Sequence, residues 1–169
     1  MAVVLKGLRV LVVEDRGLIA GKITRALETA ECVPVGPAST LKAGFDLLTS
    51  EGDGLGAAVL DIDLRGELVY PLAAALRARC VPMIFVTGFA ASAIPEPWTT
   101  VHHISKPFRD TKLLACLKAA LSGRPAQPAP SPAVLSDAYS RAVATVLETR
   151  NLIEETHILL PKRGAPEQD

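Results

Sequence analysis

Ala57-Ala58-Val59-Leu60-Asp61-Ile62-Asp63-Leu64 is the stretch from which the fold can be read. Small and apolar residues run straight into an acid. The run is too short for a helix and shows no alternation, which predicts a strand buried on both faces, as in a parallel sheet. Asp61 then stands at the strand's carboxyl end. In open α/β sheets that edge is where ligands bind, which makes Asp61 the candidate reactive centre.

The flanking sequence repeats the pattern. Leu8 to Val13 is a second apolar strand, and it too ends in acid, at Glu14-Asp15. From Arg16 to Glu31 the apolar residues Leu18, Ile19, Ile23, Ala26, Leu27 and Ala30 have helical spacing. Val33-Pro34-Val35 is a short strand whose proline belongs at a sheet edge. Ser39 or Thr40 caps a helix carrying Leu41, Phe45 and Leu48 that stops near Gly52. Pro71 marks the first turn of a helix reaching Arg79. Val81 to Val86 is another buried strand with Thr87-Gly88 at its end. Val101 to Ile104 is the fifth, followed by Ser105-Lys106-Pro107-Phe108. Asp110 is read as the cap of a last helix with Leu113, Leu114, Leu117 and Leu121, stopped by Gly123.

Strand-helix repetition of this kind predicts an α/β fold, a doubly wound five-stranded parallel sheet in the order 2-1-3-4-5 with right-handed crossovers. Between the fourth and fifth strands, Pro95 and Pro97 cannot lie in a helix interior, so the fourth helix should be short or replaced by loop.

Composition narrows the function. The 169 residues are 49% hydrophobic, enough for a real core, and 18 basic residues balance 18 acidic ones. A neutral chain gives no electrostatic case for DNA or an anionic membrane. Cys32, Cys80 and Cys116 are widely spaced with no CxxC pair, so neither disulfides nor a zinc site is expected. Met1 to Leu5 is too short for a signal peptide, and the uncharged run from Cys80 to Pro95 is cut by prolines and polar residues. A cytoplasmic protein is expected.

In the predicted order, the polar groups at four strand ends converge: Glu14 and Asp15, Asp61, Thr87 and Lys106. Three carboxylates in one crevice repel one another unless a cation and an ammonium share the space. A hard oxygen cluster of this kind suits Mg2+. Asp61 is then placed to attack phosphorus as a carboxylate nucleophile, with Lys106 and Thr87 meeting the phosphoryl oxygens. His102 and His103 are adjacent, so on a strand they point to opposite faces and make no metal pair.

At these residues the sequence resembles the receiver domain of bacterial two-component response regulators, over Arg9 to Ser122. The carriers are the acidic pair Glu14-Asp15, the phosphoacceptor Asp61, the switch hydroxyl Thr87 and the pair Lys106-Pro107. The resemblance implies a flavodoxin-like fold and phosphotransfer from a sensor histidine kinase. It implies Mg2+ held by Asp15, Asp61 and the backbone carbonyl of Asp63, with Glu14 helping through water. Such a protein transfers and loses its own phosphoryl group without being a conventional turnover enzyme. Two features depart from the family pattern: His103 stands where an aromatic switch residue is frequent, and prolines interrupt the fourth helix. Phe85-Val86-Thr87-Gly88-Phe89 looks like a motif of one receiver subgroup that lacks a DNA-binding domain.

Residues 1–122 are therefore expected to form the receiver, 123–132 a proline-rich linker, and 133–169 an amphipathic helix with a frayed tail. That helix carries no basic stripe. It would pack on its own receiver, pair with a second copy, or dock on an unknown downstream protein; the face of strands 4 and 5 with the last receiver helix is another dimer surface. Two other functions share the aspartate chemistry. One is a phosphatase of the haloacid-dehalogenase type, with Asp61-Ile62-Asp63 as its acid pair. The other is a receiver-like scaffold that is never phosphorylated.

Overall fold

The structure is a computed structural model, and it describes residues 4–123. The linker and C-terminal helix read from the sequence lie outside the described residues. Strands β1 (Arg9–Val13), β2 (Val33–Ala38), β3 (Ala57–Asp61), β6 (Met83–Thr87) and β7 (His103–Ser105) form one parallel sheet in the order β2-β1-β3-β6-β7. Between β3 and β6 a short antiparallel hairpin, β4 (Asp63–Leu64) and β5 (Glu67–Leu68), lies outside this sheet. Leaving it aside, the order is the expected 2-1-3-4-5.

Each strand feeds both faces of the sheet because its side chains alternate. Leu11 and Val13 of β1, with Leu60 and Phe85, pack under α2 (Leu41–Glu51) and α3 (Tyr70–Ala78). Val10 and Val12, with Val59, Ile84 and Val86, pack under α1 (Gly17–Thr29) and α4 (Asp110–Ser122). β2, with Pro34 and Pro37, is an edge strand, where the missing amide protons cost nothing in the ladder. Thr40 is the cap of α2, its Oγ1 accepting from the Ala43 N–H at 3.2 Å.

Two readings need correction. Asp110 does not cap α4: Arg109 is the N-cap, with no side-chain cap bond, and Asp110 is the first helical residue. There an acid still meets the positive end of the helix dipole. The hairpin β4–β5 was not anticipated, because Leu-Arg-Gly-Glu has neither the length nor the alternation of a strand pair. Its two-residue turn places Arg65 and Gly66 at φ 58 and 90, as a primed hairpin turn requires.

The fourth helix is absent as expected, and the segment before β7 holds only a 3-10 turn at Ala91–Ala93. Ile94 and Trp98 from this segment are buried. Trp98 stacks on Tyr70 with ring centroids 5.6 Å apart and 12° between planes, meets the edge of Phe85 at 6.1 Å, and lies under the Arg77 guanidinium at 4.2 Å. Aromatic packing and a cation–π contact thus fill the space a helix would cover.

Candidate phosphoryl-transfer site

Parallel pairing sets which residues meet at the sheet's carboxyl edge. Val13 is in register with Leu60, so Glu14 follows beside Asp61. Asp61 pairs with Val86, so Thr87 extends one residue further. Thr87 pairs with Ser105, and the Lys106 N–H donates to the Thr87 carbonyl at 2.8 Å. Four segments far apart in sequence therefore deliver two acids, a third acid, a hydroxyl and an amine to one edge.

Lys106 Nζ donates to Asp61 Oδ2 at 2.6 Å and lies 2.5 Å from Glu14 Oε2. One ammonium bridges two buried carboxylates. Glu14 is only 1% exposed, and its other oxygen accepts the Arg16 N–H at 3.1 Å. Asp61 Oδ1 accepts the Asp63 N–H at 3.3 Å. Asp15 completes the cluster: one oxygen each from Glu14, Asp15 and Asp61 lie within 4.8 Å of one another. Among the described residues this is the one such group of potential metal ligands. Its donors are all carboxylate oxygens, and their three charges exceed the one carried by Lys106. That donor set fits a hard divalent cation, which neutral or soft ligands would not.

Thr87 is buried at the end of β6, and its Oγ1 accepts the Phe89 N–H at 3.0 Å. That bond leaves the hydroxyl proton free to be donated. Asp61, Asp63, Thr87 and Lys106 line a cleft of about 520 Å³ whose mouth is flanked by Arg16, Lys22 and Phe89. The Asp63 side chain is not one of the converging carboxylates, and its Oδ1 accepts the Gly66 N–H at 2.5 Å. His103 is half-buried on β7, while His102 is exposed just before it. Neither belongs to the acid cluster.

The sequence reading missed Arg65. Its Nε lies 3.3 Å from Asp15 Oδ2 across the hairpin. An arginine four residues after Asp61 gives no sign of this, because the contact depends on a hairpin too short to predict.

Glu14 feels this environment most. Loss of solvent pushes its carboxyl above the ordinary value of 4.5, the hydrogen bond from Lys106 pulls it back, and the Asp61 charge pushes it up again. The net shift is upward. A carboxyl raised in the folded state binds its proton more readily there than in the unfolded chain. Stability from Glu14 therefore grows as pH falls from above its folded pKa towards 4.5, and levels off below. Glu14→Gln cannot titrate. In metal-free buffer the melting temperature of the wild type should gain on this variant as pH falls from neutral to that limit. A gap that is flat, or that moves the other way, contradicts the assignment.

No family model matches the sequence, and no curated protein matches it. Solved structures do. SdrG from Sphingomonas melonis Fr1 is 33% identical over 69% of this chain and 97% of its own, with a TM-score of 0.61. The receiver domain of the PhyR response regulator from Erythrobacter litoralis is 22% identical over 73% of this chain and 97% of its own, with a TM-score of 0.64. The response regulator PhyR from Brucella abortus is 28% identical over 69% of this chain but 48% of its own, with a TM-score of 0.60. The fold and its acidic sheet edge define a response regulator receiver domain. The chain belongs to that family. Among the described residues no helix is long and apolar enough to cross a membrane.

Proposed function

We propose that this receiver accepts a phosphoryl group on Asp61 from the phosphohistidine of a sensor histidine kinase, and that it signals by protein–protein contact. The observation that carries this reading is the Lys106 ammonium seated between Asp61 and Glu14 beside a third carboxylate. Asp15, Asp61 and the backbone carbonyl of Asp63 would hold Mg2+, with Glu14 assisting. When bound, the ion neutralises charge on the phosphoryl oxygens and orients them.

The chain's own residues do the rest. A carboxylate oxygen of Asp61 attacks phosphorus. A P–O bond forms as the P–N bond of the phosphohistidine breaks, and the electron pair leaves with the imidazole nitrogen, which takes a proton from solvent. Lys106, already donating to Asp61, carries its hydrogen bond over to a phosphoryl oxygen, where negative charge gathers in the transition state. The Thr87 hydroxyl donates to another oxygen. Its bond to the Phe89 N–H links the new group to the loop that replaces the fourth helix.

The experiment is incubation of the full chain with Mg2+ and a small acyl phosphate or phosphoramidate, followed by intact mass measurement. One phosphoryl group per chain, released by hydroxylamine, is expected, with negligible turnover of a generic phosphomonoester. Steady phosphomonoester turnover favours the phosphatase, and the absence of any label favours the scaffold.

A further inference from the structure

Arg65 is a charged residue in contact with the acid cluster to which phosphotransfer gives no task. It sits at the tip of the β4–β5 hairpin, held there by backbone in the left-handed region at φ 58. From that tip its Nε reaches Asp15 Oδ2 at 3.3 Å, and its Nη2 reaches the Asp15 carbonyl at 3.4 Å. The Asp15 side chain is 9% exposed and that of Arg65 is 76% exposed. The contact is therefore made by a largely solvated cation on a mostly buried carboxylate of the acid cluster.

The cluster has two counter-charges of different character. Lys106 is the inner one, at 2.5 and 2.6 Å from the two buried carboxylates. Arg65 is the outer one. Both of its contacts are long for a charge-assisted hydrogen bond, which closes to roughly 2.7–2.9 Å when firmly made. An ion pair this exposed and this loose is easily exchanged. A divalent cation at the cluster takes an oxygen of the same Asp15 carboxylate, and it sets two positive charges beside the guanidinium. The two are alternatives for one carboxylate.

The geometry points to Arg65 as a tethered competitor of the divalent cation: it covers Asp15 while the cluster holds no ion and gives way when one binds. This rests on the reading of the acid cluster as a cation site. Arg65 is thus a positioning residue, acting on the site through Asp15. It sets the cation concentration at which the receiver becomes competent for phosphotransfer.

The test is a calorimetric titration of Mg2+ into the full chain and into Arg65→Gln. Glutamine keeps an unbranched, uncharged side chain at the same left-handed position, so backbone strain is unchanged, and the site is exposed enough for the fold to tolerate it. At low ionic strength the variant should bind Mg2+ about three- to tenfold more tightly, the range expected for removing one exposed charge next to a divalent ion. The gap should nearly close at about 1 M salt, where the screening length is only about 3 Å. Equal or weaker binding by Arg65→Gln overturns the inference, as does a gap that salt leaves untouched. If neither protein binds Mg2+, the cation reading itself falls and takes this inference with it.

Discussion

Replacing Asp61 with asparagine is expected to abolish phosphoryl incorporation, whether the donor is a histidine kinase or a small acyl phosphate. The amide is nearly isosteric with the carboxylate, its single oxygen can keep one of the two bonds that Asp61 accepts from the Asp63 N–H and the Lys106 ammonium, and Lys106 retains Glu14 as a partner. The fold should therefore survive. What disappears is the nucleophile, since an amide oxygen is far too weak a base to displace a leaving group from phosphorus. The loss should exceed about a thousandfold, below detection in an intact mass measurement. Asp63→Asn is the matching control. Its Oδ1 accepts the Gly66 N–H and its side chain is not among the three converging carboxylates, and asparagine can keep that bond, so labelling should persist near the wild-type level. Incorporation at unchanged stoichiometry in Asp61→Asn, or its loss in Asp63→Asn with Asp61 intact, would falsify the assignment of the acceptor. A further consequence follows from charge. The Asp61 carboxylate helps to raise the Glu14 pKa. In Asp61→Asn the pH-dependent gain in stability from Glu14 should shrink.

The parts of this site that could be read from the sequence are those fixed by strand register. Asp61 and Thr87 end runs of buried apolar residues, Lys106 follows the short strand β7, and parallel pairing aligns these strand ends without further information. The two prolines before Trp98 likewise announced the missing helix. They did not reveal that Trp98 would be drawn inward onto Tyr70 and Phe85, because an aromatic residue in a short proline-broken segment has no periodicity to place it. The contact of Arg65 with Asp15 was illegible for a related reason. It spans 50 residues and depends on the turn at Arg65-Gly66. Likewise, the two acids of the Asp61-Ile62-Asp63 pair look equivalent in the sequence. In the structure Asp61 belongs to the acid cluster, while Asp63 accepts the Gly66 N–H of the hairpin turn and lies outside that cluster.

Lys106→Met should produce the second large effect, and it separates stability from chemistry. The lysine side chain is 12% exposed, and it neutralises carboxylates that are 0% and 7% exposed. Removing one partner of so buried a set leaves unbalanced charge where solvent cannot reach it, at a cost of about 3–5 kcal/mol. In metal-free buffer near neutral pH, the melting temperature should fall by roughly 10–20 °C. Lower pH should soften the loss, because Glu14 is already biased towards its protonated form and without Lys106 loses the contact that most opposes that bias. Mg2+ should restore much of it. The variant's cluster is more negative than that of the wild type, so it should bind the ion more tightly. An ion at one hundred times its dissociation constant contributes about 2.7 kcal/mol to the folded state. Phosphoryl transfer should not recover with stability. The ion can supply charge at the acid cluster, but it cannot replace the ammonium that donates to the attacking carboxylate and then to the phosphoryl oxygen. Labelling should stay at least about a hundredfold slower than wild type even in saturating Mg2+. A variant as stable as the wild type without metal would show that the bridge between Asp61 and Glu14 carries little charge compensation. A variant whose labelling rate returns with added Mg2+ would show that Lys106 acts only as a structural counter-ion.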